Sequence, residues 1–184
     1  VDQFAEAGVE EVTLIGGESY LREDWDVILK ALRDRGMRTS IATGGRGLTR
    51  ERARRAKEAG VESVSVSIDG LEPAHDRLRA VRGSWRWALE ALDTLRAEGI
   101  RITANTQVNR VNLPDLEALA ELLIARGIKA WQVQITAALG RAADRPAMLL
   151  QPYDVLDLIP RLAALKLRCE TAGVELSPGN NVGY

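Results

Sequence analysis

Short apolar strands alternate with amphipathic helices along nearly the whole chain. Continuous apolar runs indicate buried parallel strands, and longer stretches with apolar positions three and four residues apart indicate helices. The predicted strands cover 11–15, 38–42, 63–68, 101–106 and 130–135, with a short sixth at 174–176. The predicted helices cover 24–35, 49–59, 85–98, 114–126 and 153–172, and the segment 69–84 is predicted to be a loop.

The same junction recurs after each predicted helix, a glycine followed by an apolar residue. The glycines are Gly36, Gly60, Gly99, Gly127 and Gly173. A glycine at this position adopts the left-handed conformation that ends a helix. Strands and helices in strict alternation, joined by right-handed crossovers, give a parallel sheet covered by helices. No G-x-G-x-x-G turn follows the first strand, so the pattern favours part of a βα barrel over a dinucleotide-binding fold, with ligands at the strands' carboxyl ends.

Composition narrows the class of protein. The chain has 184 residues, of which 46% are hydrophobic, and this suits one globular domain with a sizeable core. A net charge of −1 gives no support for a nucleic-acid or membrane-surface partner. The single cysteine, Cys169, rules out a disulfide framework and a cysteine-based metal site made by this chain alone. With no membrane-length apolar run and no signal peptide, a cytoplasmic location is the default expectation.

Small polar residues and two acids follow the predicted strands. They are Gly16-Gly17-Glu18, Thr43-Gly44-Gly45, Ser67, Asp69-Gly70, Asn105-Thr106-Gln107, Gln134 and Thr136. Amides and hydroxyls pair with polar groups and a carboxylate holds an ammonium or a diol, so this set favours a polar, zwitterionic or ribose-bearing ligand. It contains no serine–histidine pair for nucleophilic hydrolysis. A simpler interpretation of the Gly-Gly-acid segment, turn geometry and helix capping, stays open at this point.

The segment after the third strand contributes further polar candidates. His75, the only histidine, is interpreted as a local hydrogen-bonding residue and not as a metal ligand. Arg79 and Arg82 could pair with a ligand carboxylate or lie in a solvated loop, and both interpretations stay open. The four tryptophans are interpreted as packing residues: Trp25, Trp85, Trp87 and Trp131.

Taken in order, the strand-end residues resemble those of the radical S-adenosylmethionine (radical SAM) enzymes, and most closely the subgroup with a C-terminal SPASM or twitch extension. The resemblance rests on Gly16-Gly17-Glu18, Thr43-Gly44-Gly45, Ser67-Ile68-Asp69-Gly70, His75-Asp76, Arg79, Asn105-Thr106 and Asn112. It implies an α/β fold, a partial (β/α)6 TIM-like barrel. Residues 1–176 would hold its second to sixth strands, and 177–184 would begin a linker to a C-terminal extension.

The resemblance also implies which residues bind the cofactor, S-adenosylmethionine. They are Gly16, Gly17, Glu18, Thr43, Ser67, Asp69, Arg79 and Asn105. The Gly-Gly-Glu segment would contact the methionine ammonium. Ser67 and Asp69 would contact the ribose and the methionine carboxylate, Arg79 would pair with that carboxylate, and Asn105 would lie near the adenosine.

This sequence departs from the family pattern in three places. Ser19 stands where the family often has proline, and Gly44 where it often has asparagine. The Cys-x-x-x-Cys-x-x-Cys loop, which supplies three thiolates to a four-iron four-sulfur cluster, is absent and is expected upstream of Val1. The chain is therefore expected to be an internal fragment that holds no catalytic residue and no metal ligand.

The resemblance implies a reaction for the parent enzyme. An external electron donor would reduce the cluster, the cofactor would yield a 5′-deoxyadenosyl radical, and the radical would modify a peptide or protein substrate. Two alternatives stay open. One is a non-catalytic barrel that serves as a binding or scaffold module. The other is an unrelated TIM-barrel metabolic enzyme, which is disfavoured because no lysine and no His/Asp/Glu cluster lies at the strand ends.

Overall fold

In a computed structural model, residues 1–179 are described, apart from the side chain of Arg141. Within this part of the chain the six strands are β1 (Glu11–Leu14), β2 (Arg38–Thr43), β3 (Ser63–Ser67), β4 (Arg101–Val108), β5 (Ala130–Ile135) and β6 (Glu175–Pro178). They are parallel and follow chain order in one sheet, which confirms the predicted α/β fold. Strand β6 crosses the predicted linker boundary after residue 176. The rest of that linker, 180–184, lies outside the described residues.

Helices separate the strands. They are α1 (Asp2–Glu6), α2 (Trp25–Arg33), α3 (Arg50–Ala59), α4 (Glu72–Arg79), α5 (Ser84–Ala97), α6 (Leu116–Ala125) and α7 (Pro152–Thr171). Helix α3 shows why the sequence forms these elements: the Thr49 side chain accepts a hydrogen bond from the Arg52 N–H, and Gly60 ends the helix in the left-handed conformation. None of the helices in the described ranges combines the length and apolar composition needed to cross a membrane.

Helix α4 corrects the prediction of a continuous loop over 69–84. Glu72 and Pro73 form its first turn, where an acid complements the helix dipole and proline is already in helical geometry. The helix has only 8 residues and ends at Ala80 in the left-handed conformation. So short an element has too few apolar positions to show a helical period, which explains why the sequence pattern did not reveal it.

The described chain forms two compact units. The first contains Val1–Ser67 and Arg86–Thr103. Its strands pair in parallel, with Leu14 opposite Ile41 and Ile41 opposite Val64. Its buried core includes Trp25, Leu29, Leu32, Ile41, Ala53, Ala56, Val64 and Val66. The Leu14–Ile41 register places the loops that follow β1 and β2 side by side.

The second unit contains Ile68–Trp85 and the chain from Ala104 onward. Strands β5 and β6 pair in parallel within it, and helices α6 and α7 contact each other. Its buried core includes Val108, Leu116, Leu119, Leu123, Trp131, Val133, Leu158 and Cys169. The Trp131 indole N–H donates to the Thr106 hydroxyl at 2.9 Å. Trp131 is fully buried, which confirms its predicted packing role.

Candidate functional site

The Glu18 carboxylate lies against the loop that follows β2. Its Oε1 accepts hydrogen bonds from the backbone N–H groups of Gly44 at 3.2 Å and Arg46 at 3.3 Å. Its Oε2 accepts one from the Thr43 hydroxyl. Because a carboxylate offers roughly four acceptor positions, one is left on the half-buried Glu18 for an outside donor. The first unit therefore holds a fixed anionic group that can bind an ammonium.

Two kinds of glycine surround this carboxylate. Gly16 and Gly17 have φ of +87° and +44°, and a Cβ on either would meet nothing within 4 Å. Glycine is required at both positions by the backbone conformation of the turn and not by a lack of space, because a Cβ there would meet no steric clash. At Gly44 the lack of space favours glycine, because a Cβ there would lie 3.2 Å from the Glu18 Oε1. An asparagine at position 44, common in the family, would crowd the carboxylate as it is held here.

Tyr20 is a member of this cluster that the sequence analysis missed. The residue is 2% exposed, and its hydroxyl proton is shared between the Thr43 Oγ1 at 2.8 Å and the Arg46 carbonyl at 3.1 Å. Burial raises the pKa of Tyr20, so the hydroxyl stays protonated. Tyr20 thus braces Thr43, which in turn donates to Glu18. The available signal was an aromatic residue in a polar loop two positions after the acid.

Replacing Tyr20 with phenylalanine is expected to lower the free energy of unfolding by about 1 kcal/mol, because a buried hydroxyl is lost while its shape stays. Urea denaturation monitored by circular dichroism measures the change. The exposed Tyr153 provides the matched control, and Tyr153→Phe should leave the midpoint unchanged. Equal midpoints for the Tyr20 variant and the wild type would show that the Tyr20 hydroxyl contributes no stability.

In the second unit, Asp69 is a buried carboxylate with a partner on each of its two oxygens. The residue is 5% exposed. Its Oδ1 accepts from the Gln107 backbone N–H at 2.8 Å, and its Oδ2 lies 2.7 Å from a terminal nitrogen of Arg79. The Asn112 side chain donates to the Asp69 carbonyl at 3.0 Å. A buried charge needs such partners, and they fix Asp69 at the start of the segment that leads into α4.

Arg79 keeps hydrogen-bonding capacity beyond this ion pair. Its Nε–H is buried and has no partner within the described residues. Leaving a buried donor unpaired costs about 1–3 kcal/mol, so the group points to an acceptor on a ligand. Arg79 was expected to pair with a ligand carboxylate; in the structure it pairs with Asp69 and keeps this donor available. The role of Arg79 stays a prediction.

His75 is buried next to the same carboxylate. The residue is 1% exposed, and its Nδ1 accepts a hydrogen bond from the Asp69 backbone N–H at 3.0 Å. Burial lowers its pKa to about 4, so the ring is neutral near pH 7 and carries its proton on Nε2. This confirms the interpretation of His75 as a local hydrogen-bonding residue.

Residues 1–179 contain no group of three His, Cys, Asp or Glu side chains that could hold a metal ion.

The buried histidine predicts a loss of stability in mild acid. The folded-state pKa of about 4 lies below the ordinary value of 6.5, so below pH 6.5 the unfolded chain binds a proton that the folded chain does not. Stability is therefore complete above pH 6.5 and falls by up to about 2 kcal/mol by about pH 5. Urea denaturation across this range measures the loss. His75→Asn should flatten the profile, because asparagine accepts the Asp69 N–H without titrating. An unchanged slope in this variant would contradict the assignment.

Polar side chains form three hydrogen-bonded pairs along β4 and β5. Two pairs lie within the strands, Asn105 with Gln132 at 3.0 Å and Gln107 with Gln134 at 2.5 Å. The third joins the residues that directly follow the two strands, Asn109 and Thr136, at 3.2 Å. A cleft of about 250 Å³ is lined by Asp69, Gln107, Asn109 and Thr136 among others. Asn105 and Gln107 both lie in β4, but only Gln107 lines this cleft.

Ser67 is the predicted site residue with the least support. It is the last residue of β3 and is half-buried. No hydrogen bond joins its hydroxyl to any residue in the described part of the chain. Its predicted contact with a ligand stays a prediction.

Comparison with known proteins gives the context for these groups. The sequence model of the Radical SAM superfamily matches residues 1–123, well over half of the chain. The chain belongs to the radical SAM superfamily. The family resemblance expected from the strand-end residues is thereby confirmed.

Among its radical SAM relatives is the Fe-coproporphyrin III synthase of Methanosarcina barkeri, which is 33% identical over 123 residues, covering 67% of this chain and 31% of the relative. The PqqA peptide cyclase of Ruegeria pomeroyi is 30% identical over 164 residues, covering 89% of this chain and 44% of the relative. The chain thus spans less than half the length of these relatives.

A solved structure shows the same fold. SuiB of Streptococcus suis bound to S-adenosylmethionine superimposes with a TM-score of 0.78 at 16% identity, covering 97% of this chain and 41% of SuiB. SuiB has also been solved with its precursor peptide SuiA. At this level of identity the likeness concerns the fold alone, and it agrees with a partial TIM-like barrel.

Radical SAM proteins bind S-adenosylmethionine and a four-iron four-sulfur cluster. The residues of this chain fit the first, because Glu18 has an acceptor to spare and Arg79 has an unpaired donor. They do not fit the second. The cluster needs three thiolates, and the single cysteine, Cys169, is fully buried in α7. No step of the chemistry at the cluster can be assigned to a residue of this chain.

Proposed function

We propose that this chain is the S-adenosylmethionine-binding core of a radical SAM oxidoreductase that modifies a peptide or protein. One observation carries the proposal. A carboxylate stands directly after a Gly-Gly turn at the end of a parallel strand, fixed by two backbone N–H groups and a hydroxyl, with an acceptor position to spare. Such a group suits the ammonium of the cofactor's methionine moiety.

The family resemblance suggests roles for the other polar groups. Arg79, through its unpaired Nε–H, would bind the methionine carboxylate, and Asp69 would hold the Arg79 guanidinium in place. Ser67 and Asp69 are the residues that the resemblance assigns to the ribose and the carboxylate. Asn105 would lie near the adenosine, with Gln107 next along the same face of β4. Given one electron from an external donor, bound S-adenosylmethionine would supply a 5′-deoxyadenosyl radical, with methionine as the other product, for removing a hydrogen atom from the substrate.

Two substrate classes have support. The 30% identity to a PqqA peptide cyclase and the shared fold with SuiB, which was solved with a precursor peptide, favour a peptide or protein. The 33% identity to an Fe-coproporphyrin III synthase favours a porphyrin as the second candidate. The thiolates of the cluster would have to come from a segment outside this chain. If the whole protein lacks them, the barrel would be a scaffold module that binds its partner without radical chemistry.

Two assays test the proposal. Calorimetric titration of the purified protein with S-adenosylmethionine should show one site per chain, and no heat of binding at millimolar cofactor would refute a cofactor-binding core. For the full-length protein, anaerobic reconstitution with iron and sulfide, followed by dithionite, should yield 5′-deoxyadenosine. Cofactor binding without 5′-deoxyadenosine would identify the non-catalytic module instead.

A further inference from the structure

A second pocket in the second unit contains two arginines that the proposed cofactor site does not use. We propose that this pocket, lined by Arg77 and Arg145 and called here the arginine pocket, binds a carboxylate carried on an apolar body. The inference rests on the proposed function, because it identifies the pocket as the place where a substrate of the radical SAM reaction is held.

The arginine pocket has a volume of about 510 Å³ and shares a wall with the cleft that Asp69 lines. Leu78, Arg145 and Met148 line both cavities. A molecule anchored in the pocket therefore lies next to the cleft, which has these three side chains in common with it. Asp69, one of the residues proposed to bind the cofactor, lines that cleft, so a substrate in the pocket would be held close to the reacting group.

The charges in the arginine pocket are unbalanced. Arg77, Arg145 and Asp144 line it, which leaves a formal charge of +1. Both arginines are exposed, and neither forms an ion pair within the described ranges. Other arginines of the second unit are paired with acids: Arg110 with Asp154, Arg161 with Glu117, and Arg168 with Glu121. The two unpaired guanidinium groups are therefore available for a ligand.

The chemistry of the walls defines the ligand. A guanidinium presents two parallel N–H groups that match a carboxylate. Leu78, Val111 and Met148 supply apolar contact, and a methionine adapts its shape to different apolar groups. Asp144 in the same wall disfavours a doubly charged phosphate. An acidic residue or the C-terminus of a peptide, or the carboxylate of a small apolar molecule, presents the required combination.

Titrations with matched charged and neutral probes test the inference. One arm compares octanoate with octanamide, and the other compares acetyl-Leu-Glu-Leu-amide with acetyl-Leu-Gln-Leu-amide, all by ligand-observed NMR on the purified protein. In at least one arm the carboxylate should bind about 5- to 20-fold more tightly than its amide. Arg145→Ala and Arg77→Ala should each remove most of that difference. Arg54→Ala, at an exposed arginine of the first unit, should leave it unchanged.

The outcomes separate the sources and the hypotheses. Discrimination in the peptide arm alone identifies a peptide carboxylate, and discrimination in the octanoate arm alone identifies a small carboxylate. The inference is overturned if neither charged probe exceeds its amide, or if the two arginine variants bind as the wild type does. S-adenosylmethionine titrated into Arg77→Ala should bind with wild-type affinity, because Arg77 lines the arginine pocket and not the cleft. Failure of the wild type itself to bind the cofactor would refute the proposed function while leaving the probe comparison intact.

Discussion

Replacing Glu18 with glutamine is expected to weaken S-adenosylmethionine binding by about 10- to 100-fold, because the change removes a charge-assisted hydrogen bond to the cofactor's ammonium. The fold should be nearly unaffected. The glutamine oxygen can still accept from the Gly44 and Arg46 N–H groups, and the Thr43 hydroxyl can accept from the new amide. Calorimetric titration gives the affinity, and urea denaturation shows that stability is retained.

Two controls make this prediction specific. The ligand 5′-methylthioadenosine lacks both the ammonium and the carboxylate of the cofactor, so the Glu18 variant should bind it as the wild type does. Glu11→Gln removes an exposed carboxylate of β1 that pairs with Arg38, and it should change neither affinity. An equal loss for both ligands in the Glu18 variant would mean that Glu18 only shapes the turn.

Replacing Asp69 with alanine is expected to lower the free energy of unfolding by about 3 kcal/mol. The substitution leaves the Gln107 N–H without its acceptor and the Arg79 guanidinium without its counter-charge. Arg79 is only 35% exposed, so water replaces the lost partner incompletely. Urea denaturation at pH 7.5 measures the loss and avoids the titration of His75.

Matched variants separate this effect from the loss of any surface charge. Asp69→Asn keeps an oxygen for the Gln107 N–H and should lose about half as much stability. Asp34→Ala removes an exposed acid that pairs with Arg33, and such pairs contribute at most about 1 kcal/mol. If Asp69→Ala were no more destabilising than Asp34→Ala, the buried ion pair would not hold this part of the second unit together.

The order of strands and helices could be predicted from the sequence because each element carries local information. Apolar runs define the strands, and glycines such as Gly60 stop the helices in a conformation that other residues rarely adopt. Helix α4 escaped prediction because 8 residues show no helical period. Strand β4 extends past the predicted end at 106 to Val108, where polar and apolar residues still alternate.

The candidate site could be predicted only in part. Glu18, Thr43 and Asp69 were predicted from their positions at strand ends and Arg79 from the family resemblance, and the structure joins Glu18 to Thr43 and Asp69 to Arg79. The pairing of Glu18 with Thr43 is a long-range contact that no local pattern encodes. Tyr20 was missed for the same reason: its partner Thr43 lies in another βα unit, and an aromatic residue two positions after Glu18 does not by itself indicate that contact.

The central claim, that Glu18 holds the ammonium of S-adenosylmethionine, is tested most directly at the two amide groups that hydrogen-bond to its carboxylate. In ¹⁵N-labelled protein, the amide resonances of Gly44 and Arg46 should shift when S-adenosylmethionine is added and stay in place when 5′-methylthioadenosine is added. Identical shifts with both ligands, or no shift at saturating S-adenosylmethionine, would contradict the claim.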